Sequence, residues 1–184
     1  MGREKASSVQ LTSDVLEVMA DAYVAFLSSL KWDHHWVLRG SAEGRGKFLS
    51  NTYLAVLPGR DKYRKTQFLS EEAFARLKDG SSKGLEFEHL VPKQAYFQIP
   101  CEELARSGSL TTDFVLQLLR QYWVLAMVTK EEHRRLKSRS MPTDWDRANV
   151  LARYAVAGVR LVPNPFALPA VPRYMLPGQP TGSA

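Results

Sequence analysis

The pattern of apolar positions divides the first part of the chain and its middle into amphipathic helices. Residues 12–31 and 111–122 place apolar side chains at steps of three and four, which predicts two helices with one buried face each. A further short helix is predicted over residues 70–79, because Ser70 can cap it, glutamates follow in its first turn and Gly80 ends the pattern.

Three apolar runs are typical of strands instead. They cover residues 51–57, 85–91 and 122–128, and they are rich in residues that favour extended backbone. The segment 31–48 contains several glycines, so we expect it to form a loop or a wide hairpin before the first strand. The alternation of helices and strands predicts an α+β fold.

Two more helices are predicted towards the C-terminus. The first begins directly after the 122–128 strand, since Thr129 and Glu132 form a T-x-x-E capping box. The second is expected within residues 144–157. From Pro163 onward proline is too frequent for regular structure.

Length and composition predict a single domain with a tail. A chain of 184 residues, 45% of them hydrophobic, can bury a substantial core. We therefore expect one α+β domain over residues 1–162, and a Pro-rich irregular tail over residues 163–184 that wraps the surface or is partly disordered.

Charge and cysteine content narrow the classes of partner and compartment. The formal net charge is +6, which favours a polyanionic partner such as nucleic acid. No run of about 18 apolar residues is present, so we expect no membrane partner. The single cysteine, Cys101, excludes an internal disulfide and a Cys-rich zinc site, and it favours a reducing, cytoplasmic setting.

The residues with the clearest chemical potential stand at the ends of two strands. Glu88 and His89 are adjacent in the stretch LEFEHLVPKQ, and His133 lies in the capped helix after the 122–128 strand. A strand, a second strand and a helix, with histidines on the first strand and on the helix, resemble the ββα-metal arrangement of HNH-type nucleases. The resemblance implies a ββα-metal-like core over about residues 85–139, with a helical insertion between its two strands.

The resemblance also implies roles for these residues in a metal-dependent endonuclease. His89 would be the general base that activates water, and Glu88 and His133 would be metal ligands for Mg²⁺ or Mn²⁺, with Zn²⁺ also suited to the pair. The expected substrate is DNA in preference to RNA, in restriction or phage defence. A homodimer would supply the two sites that cutting both DNA strands requires.

Basic side chains next to these positions are candidates for contacts with phosphate. Those nearest the proposed ligands are Lys93, Arg134, Arg135 and Lys137. A second basic run surrounds Tyr63 and contains Arg60, Arg64 and Lys65.

Non-enzymatic interpretations fit the same residues. Glu88–His89 can be the solvated end of a strand, and His133 can be a surface residue of a charged helix. The protein would then be a non-catalytic basic nucleic-acid-binding protein, or an inhibitor or interaction protein. The stretch Asp33–His34–His35 offers another metal or base site, although adjacent histidines point apart on regular structure. The position of His89 relative to His133 in space decides between a shared site and a simple strand end.

Overall fold

The computed structural model describes residues 14–136 and 139–174, and in this part of the chain helices surround a four-stranded mixed sheet, an α+β structure. The helices are α1 (Val15–Ser28), α2 (His35–Gly40), α3 (Ala42–Val56), α4 (Glu71–Lys78), α5 (Ile99–Arg106), α6 (Thr112–Tyr122), α7 (Lys130–Arg135) and α8 (Ala152–Val156). The strands are β1 (Phe68–Ser70), β2 (Leu85–His89), β3 (Leu125–Thr129) and β4 (Leu161–Pro163). A π-helical turn, Gln94–Gln98, leads directly into α5.

The sheet has the order β2-β3-β1-β4, with β3 in its interior. β3 runs antiparallel to β2 and parallel to β1, and β4 is antiparallel to β1. Every residue of β3 is buried, as expected for a continuous apolar run in a central strand. β2 is therefore an edge strand, and its residues are only partly buried.

Most of the predicted helices and both of the later strands are confirmed. α1, α4 and α6 lie within or close to the predicted ranges, with Asp14, Ser70 and Thr111 as their N-caps. β2 and β3 match the apolar runs, and α7 begins at the predicted capping box.

The predicted strand over residues 51–57 is wrong, and so is the loop over residues 31–48. The first is the C-terminal half of α3, and the second contains α2 and the first half of α3. Leu49, Tyr53 and Leu57 are buried and recur every four residues, so they form one helical face despite their strand-like neighbours.

The core lies mainly between the helices and the interior strand. Its largest cluster joins the buried side of α1, including Met19 and Tyr23, to residues of α3, α6 and β3. A smaller cluster of Leu69, Ala73 and Met127 lies beneath α4 on the other face of the sheet. The two clusters fix β3 between them, and with it the start of α7.

The C-terminal part differs in detail from the prediction. The helix predicted over residues 144–157 is confined to α8, and Pro163 ends β4, where an edge strand tolerates a residue without an N–H. Beyond it, Asn164 is buried and its amide donates to the carbonyl oxygens of Tyr63 and Thr66. The last part of the predicted tail, residues 175–184, lies outside the described residues. Over the described ranges, no helix is long and apolar enough to cross a membrane.

Candidate functional site

The antiparallel pair β2–β3 and the helix α7 together position the candidate residues. β3 ends at Thr129, whose hydroxyl accepts from the backbone N–H of Glu132 and caps α7. The buried Glu132 carboxylate accepts in turn from the Thr129 N–H at 2.8 Å and from the Ser70 hydroxyl at 2.5 Å. α7 therefore leaves the sheet in a fixed direction, and its next residue is His133.

The structure brings Glu88 of β2 and His133 of α7 into contact. The two atoms Glu88 Oε1 and His133 Nδ1 are 2.8 Å apart. The Glu88 side chain is 13% exposed and the His133 side chain 44% exposed, so the pair lies at the surface with the carboxylate on its inner side. The resemblance implies that these two residues are ligands of one metal ion, and the structure brings their side chains together.

Arg153 of α8 completes the surroundings of Glu88. Its Nη2 lies 2.8 Å from Glu88 Oε2 and also donates to the backbone carbonyl of His89. Only 4% of the Arg153 side chain is exposed, so this guanidinium is a buried partner rather than a surface charge. Sequence reasoning missed Arg153, because it lies 65 positions from Glu88 and no motif or periodicity connects the two.

His89 faces the other side of β2. Glu88 pairs with Ala126 and His89 with Leu125, and successive residues of a strand point to opposite faces. The His89 ring packs edge-on against Trp123 at 4.9 Å, and its Nε2 is 3.4 Å from the Ser50 hydroxyl on α3. Glu88 and His133 thus form one cluster, and His89 belongs to a second cluster on the opposite face of the same strand end, so His89 and His133 do not converge on the shared site that the resemblance implies.

Electrostatics keep the His89 imidazole neutral at pH 7. Burial is the largest cause, and the nearby cations of Lys93 and Arg153 act in the same direction; together they lower the pKa of His89 to about 3. A neutral imidazole can accept a proton, but a pKa of about 3 makes His89 a weak base, because general-base catalysis is most effective when the pKa lies near the operating pH.

Lys93 belongs to the same cluster as His89. It immediately precedes the π-helical turn, and its ammonium donates to the Ser50 hydroxyl at 2.8 Å. Burial lowers the pKa of Lys93 to about 8. Ser50, which sequence reasoning did not single out, therefore links two of the predicted site residues.

The remaining basic candidates separate into surface and buried positions. Arg134 and Arg135 of α7 are exposed beside His133, and Arg60 and Arg64 are exposed in the second basic run. Lys65 is buried, and its ammonium donates at 2.7 Å to the carbonyl oxygens of Leu54 and Leu57. It closes the C-terminal end of α3 and is not at the surface where phosphate binding was predicted.

Lys137 lies outside the described residues. Across residues 14–136 and 139–174, no group of three or more His, Cys, Asp or Glu side chains is close enough to hold a metal ion. The Asp33–His35 stretch is exposed at the start of α2 and takes no part in such a group. Any ion at Glu88 and His133 would therefore have two ligands from the described protein residues.

Comparisons with known proteins identify no relative of this chain. The chain matches no protein-family model, no curated protein and no solved structure at a significant level. The candidate site is defined by the positions of its own residues.

Proposed function

We propose that the protein is a divalent-metal-dependent endonuclease of the HNH (ββα-metal) type that hydrolyses phosphodiester bonds in DNA. The observation that supports this best is the contact between Glu88 Oε1 and His133 Nδ1 at 2.8 Å. Two neighbouring ligands at about 2.1 Å from an octahedral ion are roughly 3 Å apart. The pair therefore has the separation expected of two ligands on one cation.

The chemistry of the pair suits a catalytic ion better than a structural one. A carboxylate oxygen and an imidazole nitrogen are ligands for Mn²⁺ and Zn²⁺, and Mg²⁺ accepts the carboxylate readily. Two protein ligands leave positions for water and for a phosphate oxygen, as is usual where Mg²⁺ acts on nucleic acid. When bound, such an ion stabilises the charge that develops on the phosphate and on the leaving oxygen.

Arg153 prepares Glu88 for this role. Since its guanidinium engages Oε2, the carboxylate is held in one orientation with Oε1 directed at His133. The rotation of a glutamate side chain, which would weaken a two-ligand site, is restricted in this way.

His89 is proposed as the general base although it lies on the other face of β2. Both clusters lie at the same end of the edge strand β2, and the proposal requires the scissile phosphate to sit across this end so that His89 and the ion reach it together. Lys93 would hold a phosphate beside the imidazole, and Arg134 and Arg135 would hold phosphates on the His133 side. Burial is the main cause of the low pKa of His89, and a bound phosphate would offset the smaller contribution of the Lys93 charge.

The proposed biological setting is restriction or phage defence, with two copies of the chain acting together on the two strands of DNA. A non-catalytic nucleic-acid-binding protein is the second candidate, and a specific observation favours it. The Glu88 carboxylate is already paired with the Arg153 guanidinium at 2.8 Å, so it can serve the fold without any ion.

Cleavage assays separate the two candidates. The protein is incubated with supercoiled plasmid and with RNA in Mg²⁺, in Mn²⁺ and in chelator. We expect metal-dependent nicking or cutting of DNA that is lost in His89→Ala and in His133→Ala. His35→Ala is the matched control, because His35 is exposed on α2 and should leave cleavage unchanged.

Metal binding provides a measurement that does not depend on activity. Titration calorimetry with Mn²⁺ should show one site that is lost in Glu88→Gln and in His133→Ala and retained in His35→Ala. Absence of cleavage and of Mn²⁺ binding, with DNA retardation in gels unaffected by either histidine change, would refute the nuclease and support the non-catalytic protein.

A further inference from the structure

Ser50 occupies a position between the two functional groups of the second cluster. It lies on α3, and its hydroxyl oxygen is 2.8 Å from Lys93 Nζ and 3.4 Å from His89 Nε2. The three side chains come from α3, from the end of β2 and from the segment that leads into α5. All three are partly buried, so each contact is partly shielded from water.

The hydrogen-bonding capacities of the groups determine the direction of the contact between Lys93 and Ser50. An ammonium group only donates, so the Ser50 oxygen must accept from Lys93. The single hydroxyl proton is then left to donate. Among the contacts of the described residues, the acceptor within its reach is His89 Nε2.

Donation from the Ser50 hydroxyl to Nε2 corresponds to one tautomer of His89, and acceptance of an Nε2–H by the second lone pair of Ser50 corresponds to the other. If Nε2 accepts the hydroxyl proton, its lone pair faces Ser50 and the ring proton lies on Nδ1. A hydroxyl that accepts from a cation is also a stronger donor, which favours the same direction. The distance of 3.4 Å is long for a hydrogen bond, so a water molecule can replace the hydroxyl at Nε2 without a large loss.

We propose that Ser50 is a positioning residue that holds His89 in its Nδ1–H tautomer, with the basic lone pair on Nε2 directed to the side of Lys93. The catalytic consequence rests on the proposed nuclease function. The attacking water and the phosphate would then approach between α3 and the segment that begins at Lys93. Which tautomer His89 adopts can be measured whether or not the protein cleaves DNA.

Nuclear magnetic resonance of the imidazole nitrogens tests the tautomer directly. Uniformly ¹⁵N-labelled protein without metal or nucleic acid is measured at pH 7 by long-range proton–nitrogen correlation, and the His89 signals are assigned by their loss in His89→Gln. We expect the Nδ1–H pattern in the wild type. In Ser50→Ala we expect both tautomers to be populated, and Ser50→Thr should restore the wild-type pattern because it keeps the hydroxyl.

Alanine suits a helix interior such as that of α3, and urea denaturation of Ser50→Ala and Ser50→Thr separates a loss of stability, caused by removing the acceptor of Lys93, from a loss of positioning. In the cleavage assay, Ser50→Ala should lower kcat by about 10-fold to 100-fold, the usual effect of removing an orienting partner, with KM for DNA little changed. Ser50→Thr should recover most of kcat.

The possible results are distinct. An Nε2–H pattern in the wild type, or a pattern that Ser50→Ala leaves unchanged, overturns the proposal whether or not DNA is cleaved. The expected tautomers together with a wild type that never cleaves DNA support the positioning of His89 by Ser50 and refute the nuclease instead.

Discussion

A guanidinium nitrogen of Arg153 lies 2.8 Å from Oε2 of Glu88, and both side chains are largely withdrawn from solvent. The same nitrogen donates to the carbonyl of His89, so Arg153 holds the end of β2 through a side chain and through the backbone. Removing one partner of a buried pair leaves the other without compensation, which typically costs about 3 kcal/mol or more. We expect Arg153→Met to lower the free energy of unfolding by about that amount in urea denaturation.

Arg153→Lys should not restore this stability, because a lysine cannot reproduce the planar fork of donors that reaches the carboxylate and the carbonyl together. Arg160→Met is the matched control. Arg160 pairs with Glu71 at 2.6 Å, but these side chains are 81% and 46% exposed, so the change should cost less than about 1 kcal/mol. Equal losses in the two variants would contradict the buried role of Arg153.

The cap of α7 links stability to the proposed metal binding at His133. The Thr129 hydroxyl accepts from the Glu132 N–H, so Thr129→Val keeps the shape of the side chain but removes the cap. Loss of an N-cap costs about 1 kcal/mol. Because the cap also sets the direction of α7, we expect Thr129→Val to weaken Mn²⁺ binding in calorimetry, and Thr129→Ser to retain both properties.

Thr112→Val serves as the comparison for this prediction. The Thr112 hydroxyl contacts Asp21 Oδ1 at 3.0 Å on the surface, far from any capping position of α7. Its loss should change stability by less than about 0.5 kcal/mol and leave Mn²⁺ affinity unchanged. Weaker Mn²⁺ binding in Thr112→Val as well would show that the effect of Thr129 is not specific to the α7 cap.

Arg64 and Lys65 are neighbours in the basic run but should behave oppositely. Lys65 is buried with its ammonium on two backbone carbonyls of the α3 end, so Lys65→Met should cost about 1–3 kcal/mol by leaving these carbonyls unpaired. Arg64 is exposed, so Arg64→Ala should change stability little. Gel-shift assays over a range of salt concentrations should show weaker DNA binding and a smaller salt dependence for Arg64→Ala alone.

The elements that were predicted correctly are those whose local signals agree with their packing. β3 is a continuous apolar run and α7 has a complete capping box, so the β3–α7 connection and the position of His133 follow from the sequence. α3 was missed because Gly40, Gly44 and Gly46 suggested a loop and Tyr53 sits among strand-like residues. Residues 42–56 form a helix because its buried face packs against α1 and β3.

The positions of Glu88 and His133 could be predicted from the sequence, but those of Ser50 and Arg153 could not. Glu88 and His133 lie at the ends of elements with strong local patterns, so their contact follows once β2, β3 and α7 are known. Ser50 and Arg153 come from α3 and α8, which are brought to β2 only by the tertiary fold. The alternation of side chains along β2 separates Glu88 from His89 in the structure, although the resemblance assigns both to one site.

The buried position of Lys93 predicts a pH dependence of stability. Burial lowers the pKa of Lys93 to about 8, whereas a lysine in an unfolded chain titrates near about 10.4. Between these values the unfolded chain binds a proton that the folded protein does not, so this contribution to the free energy of unfolding rises with pH. Below about pH 8 both states carry the charge, and the contribution is constant.

Lys93→Met removes this dependence. In urea denaturation at several pH values between about 7.5 and 9.5, the stability of the wild type relative to Lys93→Met should increase as the pH rises. Amine-selective labelling followed by mass spectrometry gives an independent midpoint, near pH 8 for the Lys93 peptide of the folded protein and higher for the same peptide in denaturant. Because the Lys93 ammonium is held against Ser50 and α3, parallel stabilities over this range would mean that the amine is solvated and that the cluster around His89 is open.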